Sequence, residues 1–136
     1  MLHIGGQIPT FTRLTDEPLK HIKYLPNSTY IHLYQAYDGE QQHFEEDGFQ
    51  TLKELLLGKL DGLKVVKIDR GALQLLEEFE VEDCLLMQEI PSNIEQLPSL
   101  KSLQIKDMPR EFMAGLQPNT GSNYSKIKHI TSVAIQ

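Results

Sequence analysis

Apolar residues recur along this chain in one pattern that appears four times at a fixed interval. The four copies occupy residues 25–33, 49–57, 73–81 and 97–105, so each begins 24 residues after the previous one. Within the last copy the apolar residues are Leu97, Leu100, Leu103 and Ile105. A further small or apolar residue follows three positions beyond each copy, at Ala36, Leu60, Cys84 and Met108. Because five positions keep one register over four copies, the pattern indicates an internal repeat.

The period and the Leu-x-x-Leu-x-Leu core predict a leucine-rich-repeat solenoid of the α/β class. In that architecture each unit contributes one short strand and a return segment, and the strands form a parallel sheet on the concave face. About four repeats of 24 residues are predicted to form a single domain over residues 1–136. The predicted parts are a partial repeat at 1–24, repeats at 25–48, 49–72, 73–96 and 97–108, and a C-terminal cap at 109–136. A cap is expected because the last repeat of a solenoid otherwise exposes its core.

The N-terminal part of the chain departs from the repeat. Residues 14–22 carry leucine and isoleucine at the spacing of a helical return segment, with no complete strand before them. Ser28 stands where the other copies have leucine, so its hydroxyl is expected to face inward. The return segment of the second repeat, residues 63–68, is predicted to be extended because β-branched residues dominate it.

The later return segments favour short helical turns. In the third repeat one helical face carries Ile90, Ile94 and Leu97. Ser92 or Asn93 is a candidate N-cap for that turn. Residues 110–116 form a short amphipathic turn, and the apolar run 127–135 is predicted to lie across the open end of the solenoid.

Positions that alternate with the inward residues define a candidate binding surface. On the predicted concave face the candidates are Tyr30, His32, Tyr34, Glu54, Leu56, Glu78, Glu80, Glu82, Gln104 and Lys106. Beside them stand Gly58, Lys59, Asp83, Ser102 and Asp107. Exposed tyrosines offer a large contact area at low entropy cost, and a row of glutamates creates a negative field. The complement would be a basic protein surface beside an apolar one, and the alternative is that these residues are only the solvated side of a sheet.

Composition narrows the partners and the compartment. The chain has 13 basic and 19 acidic residues, a formal net charge of −6, which argues against nucleic acid as a partner. Its one cysteine can form no internal disulfide, which fits a reducing compartment. The N-terminus lacks the charged and apolar regions of a signal peptide, and no apolar run is long enough to span a membrane. We therefore expect a cytoplasmic protein.

No catalytic or metal-binding constellation emerges from the sequence. The five histidines show no i, i+4 spacing and no cysteine partners, so no metal site is expected. Phosphate-binding loops, dinucleotide-binding glycines and nucleophile elbows are missing, so neither a cofactor nor enzymatic activity is expected. Cys84 falls at an inward position and is interpreted as a small buried hydrophobe.

Sequence segments in and between the repeats resemble those of a known family. These segments are Tyr30–Gln41, Gly48–Leu55, Asp61–Ile68, Gly71–Leu73, Ile90–Ile94, Asp107–Phe112 and Lys126–Val133. They are similar to the C-terminal leucine-rich repeats of plant intracellular disease-resistance proteins of the coiled-coil, nucleotide-binding type. The resemblance covers nearly the whole chain from about Leu14 onward.

The resemblance implies a sensor and autoinhibitory module that acts by binding proteins. The implied partners are a pathogen effector, a guarded host protein, or the nucleotide-binding domain of a resistance protein. The coiled coil and the phosphate loop of the family are absent from this sequence, so nucleotide binding and cell-death signalling do not carry over.

Two other interpretations stay open at the level of sequence. The chain is alternatively a stand-alone intracellular leucine-rich-repeat scaffold or decoy, for which the phrase Ile90–Ile94 is also typical. An extracellular receptor domain is disfavoured because a signal peptide and paired cysteines are missing.

Overall fold

In the computed structural model each copy of the apolar pattern ends in one strand at the predicted place. The structure describes residues 2–4, 29–35, 40–46, 48–118 and 120–136. Its strands are β1 (Leu2–Ile4), β2 (Tyr30–Tyr34), β3 (Gln41–Phe44), β4 (Glu54–Gly58), β5 (Val65–Ile68), β6 (Glu78–Glu82), β7 (Ser102–Lys106) and β8 (Ser132–Ile135). Its helices are a 3-10 helix at Ile94–Gln96, α1 (Arg110–Ala114) and α2 (Tyr124–Ile127). The predicted parallel-sheet solenoid is confirmed.

The main sheet has six strands in the order β1-β2-β4-β6-β7-β8. From β2 to β7 the pairing is parallel, and each residue pairs with the residue 24 positions later, so that Ile31 pairs with Leu55 and Leu55 with Phe79. The predicted inward residues are at most 1% exposed, and they are Ile31, Leu33, Leu55, Leu57, Phe79, Val81, Leu103 and Ile105. Burial of each such side chain contributes about 1.5–3 kcal/mol, so the stacked rows hold one repeat against the next.

The return segment of the second repeat is extended, as predicted. Strand β5 pairs in parallel with β3 to form a second sheet of two strands, with Phe44 opposite Ile68. Both of these side chains are buried, at 0% and 1% exposure. The second sheet therefore contributes side chains to the same buried core as the main sheet.

The third return segment differs from the predicted capped helix. Asn93 precedes the 3-10 helix with φ 64°, and its side chain makes no capping hydrogen bond. Instead its amide Nδ2 donates to the carbonyl of Ile68 at 2.7 Å, and the Ser92 hydroxyl accepts from the Ile68 N–H at 3.4 Å. The prediction that Ser92 or Asn93 caps this turn is wrong, because the backbone at the end of β5 takes these side chains as its partners.

The C-terminal segment lies at the open end of the solenoid as an added strand. Strand β8 pairs in parallel with β7, with Leu103 opposite Val133 and Ile105 opposite Ile135. In the chain segment between β7 and β8, the helix α1 buries Phe112, which is 1% exposed. Val133 and Ile135 stand in line with the apolar rows but remain 36% and 46% exposed, since β8 is the last strand of the sheet among the described residues.

At the N-terminal edge, β1 pairs antiparallel with β2, an element that the repeat pattern does not predict. The predicted helical return at 14–22, the inward Ser28 and the apolar position Ala36 lie outside the described residues.

A second ladder runs along the four residues that follow β2, β4, β6 and β7 of the main sheet. Each of them has a left-handed backbone, with φ values of 53° at Gln35, 48° at Lys59, 48° at Asp83 and 51° at Asp107. The N–H of Gln35, Lys59 and Asp83 donates to the carbonyl of the last residue of the next strand, which for Lys59 is Glu82 at 3.0 Å. The N–H of Asp107 donates to the carbonyl of Gln136, the residue after β8, at 3.1 Å. These hydrogen bonds extend the pairing of neighbouring repeats beyond the strands themselves.

A buried amide interrupts the apolar core in β3. Gln42 is 0% exposed and stands opposite Val66. In the described part of the chain, neither its amide nitrogen nor its amide oxygen finds a hydrogen-bond partner. A buried polar group without a partner costs about 1–3 kcal/mol.

We expect Asp107→Val to lower the free energy of unfolding by about 1–3 kcal/mol, because a β-branched residue is strained in the left-handed conformation. Asp107→Asn is the matched control, since it removes the same charge and tolerates this conformation. Urea unfolding of the two variants checks the prediction, and equal midpoints would contradict it.

We expect Gln42→Leu to raise the free energy of unfolding by about 1–3 kcal/mol, because leucine removes the unsatisfied amide and keeps the volume. Gln88→Leu, at an exposed position, is the control and should change the melting temperature little. A fall in the melting temperature of the Gln42 variant would show that the amide is needed for the packing of β3.

Candidate functional site

The ten residues predicted to form a binding surface lie together on the side of the main sheet opposite the buried rows. Parallel pairing places them in three rows across β2, β4, β6 and β7. The rows are Tyr30-Glu54-Glu78-Ser102, His32-Leu56-Glu80-Gln104 and Tyr34-Gly58-Glu82-Lys106. We call these twelve residues the open face. All of them except Gly58 are half-buried or exposed, so the described chain leaves this side of the sheet accessible.

Aromatic side chains occupy the β2 end of the open face. The rings of Tyr30 and His32 lie 4.8 Å apart between centroids, and His32 Nε2 is 3.5 Å from Glu54 Oε1. The ring of Tyr34 lies against Gly58, where an added Cβ would come within 2.7 Å of its Cδ2 atom. Gly58 therefore makes room for the tyrosine ring, a role that the sequence pattern does not reveal.

Carboxylates fill the centre of the open face. Glu54 and Glu78 stand directly opposite each other in the sheet, and Glu80 and Glu82 continue along β6. Glu80 forms an ion pair with Lys106 at 3.4 Å, and its side chain is only 19% exposed. Within the described residues, neither Glu78 nor Glu82 has a cationic partner within ion-pair distance. The middle of the face therefore carries negative charge that the chain itself does not neutralise.

A lysine beside the open face contacts a tyrosine at the aromatic end of that face. Lys59 follows β4, and its ammonium lies 5.6 Å from the centroid of the Tyr34 ring. A hydrogen bond with the Tyr34 side chain raises the pKa of Lys59, and the charges of Asp83 and Glu82 act in the same direction. The pair is a cation–π contact.

A shallow groove crosses the starts of β2, β4 and β6. It measures about 320 Å³ and is lined by Thr29, Tyr30, Lys53, Glu54, Glu77 and Glu78. This volume is at the lower end of the range for small-molecule sites, and the lining is mostly charged rather than apolar. The groove is thus better suited to a protein side chain than to a small substrate.

The described residues offer neither a metal site nor a membrane-spanning helix. They contain no group of three or more His, Cys, Asp or Glu side chains that could hold a metal ion. None of their helices has the length and apolar character needed to cross a bilayer.

Cys84 is buried, as predicted from its inward position. It is 0% exposed, and its Sγ donates to the carbonyl of Glu82 at 3.4 Å. Burial raises the pKa of the Cys84 thiol from 9.0 to about 11. The thiol is therefore neutral and enclosed at physiological pH.

We expect Cys84 to react slowly with Ellman's reagent near pH 8 in the folded protein, since a pKa this high leaves roughly one thiolate per thousand thiols. The absorbance of the released thionitrobenzoate should reach one equivalent only after unfolding in guanidinium chloride. The Cys84→Ala variant supplies the baseline, and a rapid reaction without denaturant would contradict the burial of this side chain.

Comparisons with known proteins return relatives of one kind. The disease resistance protein RPH8A of Arabidopsis thaliana is 29% identical over 121 residues, which are 88% of this chain and 13% of that protein. The disease resistance protein RPM1 of the same plant is 27% identical over 122 residues, 90% of this chain and 13% of that protein. The disease resistance protein RPP8, also from this plant, is 30% identical over 98 residues, 72% of this chain and 11% of that protein.

The chain thus spans 11–13% of the length of these relatives. No family model matches the chain, and no solved structure matches it. The relatives are disease resistance proteins, which confirms the resemblance identified from the sequence.

Proposed function

We propose, on the premise that this chain is homologous to a segment of plant disease resistance proteins, that it is a non-catalytic protein-binding segment of a cytoplasmic immune receptor. In this proposal the open face binds a pathogen effector, a guarded host protein, or the nucleotide-binding region of the receptor itself. Binding to the nucleotide-binding region would restrain the receptor at rest, and binding to the other two would relieve that restraint.

The accessible side of a parallel sheet is the observation that supports this proposal. Parallel sheets are normally covered on both faces. Here one side is packed against the apolar core, while the other side carries Tyr30, Tyr34 and four glutamates at half-buried or exposed positions. Aromatic side chains are typical anchors of protein interfaces, and charged groups around them give specificity.

The geometry favours binding over catalysis. The carboxylates of Glu54, Glu78 and Glu80 lie on the open face, which water reaches, and the described residues form no deep cleft behind them. Catalytic sites work by enclosing the reacting groups and excluding water. An open surface of this kind is instead suited to contact with another protein.

We expect the 5′ end of the transcript to extend the reading frame upstream of Met1 into a phosphate loop.

The encoded full-length receptor is then expressed in leaves with Glu78→Gln, Glu80→Gln and Glu82→Gln combined, which we call the face variant. Loss of the negative field should either abolish the pathogen-dependent cell death or cause cell death without the pathogen. Ion leakage from leaf discs measures both effects.

The matched control combines Glu89→Gln, Glu95→Gln and Glu111→Gln, which removes the same charge from exposed positions away from the open face. This control variant should behave as the unsubstituted receptor does. A transcript that starts just ahead of Met1 would contradict the receptor proposal and favour the stand-alone scaffold or decoy. Equal responses of the face and control variants would show that the open face is not the binding surface.

A further inference from the structure

Two lysines of this chain already lie against the open face. Lys106 reaches across from β7 to Glu80 on β6 at 3.4 Å, and Lys59 lies over the ring of Tyr34. Each of them is exposed to solvent on part of its surface, and each contacts one side chain of the face. The open face therefore binds cations within its own chain at two separate points, one acidic and one aromatic.

The remaining charge on the open face is not balanced. Its twelve residues include four glutamates and one lysine, so it carries an excess of negative charge. Glu54 has only His32 nearby, at 3.5 Å, and Glu78 and Glu82 have no ion-pair partner among the described residues. Carboxylates held at fixed spacing on a rigid sheet bind a cation more strongly than mobile ones, because less entropy is lost on binding.

The aromatic and acidic parts of the face lie a short distance apart. Neighbouring strands in a sheet are about 4.8 Å apart. Strand β4 separates β2 from β6, so Tyr30 and Tyr34 on β2 lie roughly 10 Å from Glu78 and Glu82 on β6. An extended peptide covers that distance in about three residues. Between these two strands, Leu56 provides a half-buried apolar contact in the centre of β4.

We infer that the open face binds an extended peptide segment that carries an arginine or lysine about three residues from an aromatic or apolar residue. The cation binds among Glu78, Glu80 and Glu82, and the apolar residue packs on Tyr30, Tyr34 and Leu56. Until the partner binds, Lys106 occupies the place of the partner's cation at Glu80, and Lys59 lies on the ring of Tyr34, where the partner's apolar residue would pack. This inference rests on the proposed function and specifies the chemistry of its partner.

The probe is a display library of random peptides, selected on the full chain at low salt. We expect the selected peptides to be enriched in arginine or lysine beside an aromatic residue at the stated spacing. The dissociation constant of the most enriched peptide, made synthetically and measured by calorimetry, should rise at least about tenfold in the face variant, since the charges that pair with it are gone. It should also rise when NaCl is increased from about 0.05 M to about 0.5 M. The control variant should bind as the unsubstituted chain does.

Removal of the internal cations should have the opposite effect. We expect Lys106→Gln to tighten binding of the same peptide severalfold, because it frees Glu80. Lys59→Asn should also tighten binding, because it removes the cation that lies over the ring of Tyr34, while asparagine keeps the left-handed backbone at this position. Lys67→Gln, at an exposed position on β5, is the matched control and should leave the affinity unchanged.

The outcomes separate this inference from the proposed function. Selected peptides that lack cations but lose affinity in a Tyr30→Ala and Tyr34→Ala variant would overturn the basic partner and leave the open face as a binding surface. Peptides whose affinity is unaffected by any substitution on the open face would overturn both. A selection with no enrichment above background, or weaker binding after Lys59→Asn and Lys106→Gln, would also count against the inference.

Discussion

In-register pairing of neighbouring repeats holds this fold together. Each residue of β2, β4 and β6 pairs with the residue 24 positions later on the next strand. The pairing stacks like positions into rows, so that Leu55 lies beside Phe79 in the core while Glu54 lies beside Glu78 on the open face. A shift by one residue would exchange the two sides of the sheet, which is why the apolar rows fix the register so firmly.

The same register also determines which side chains stand beside each other on the open face. Stacking brings Glu54 and Glu78 together although like charges in direct opposition are unfavourable. The buried rows on the other side stabilise the sheet enough to hold this arrangement, and Lys106 relieves part of the repulsion at Glu80. The cationic partner proposed above would relieve the repulsion that remains.

Several contacts that join the repeats could not be predicted from the sequence pattern. The left-handed turns after the strands fall on lysine and aspartate as well as glutamine, so residue type does not mark them. Asn93 and Ser92 looked like caps for their own helix, but they bind the backbone of Ile68 in the preceding repeat. In both cases the deciding partner is distant in sequence, and a pattern within one repeat contains no information about it.

The repeat length, the strand positions, the inward residues and the residues that alternate with them can be read from the sequence, because alternation within a strand and a constant period are local properties. Three other features could not be read from it: β8 joins β7 after 30 residues rather than 24, Lys59 lies on Tyr34 beside Gly58, and Gln42 is buried with no partner among the described residues. These features depend on which backbone edges and side chains meet across repeats. Such meetings are set by packing in three dimensions, where residues of different repeats compete for the same space and the same hydrogen bonds.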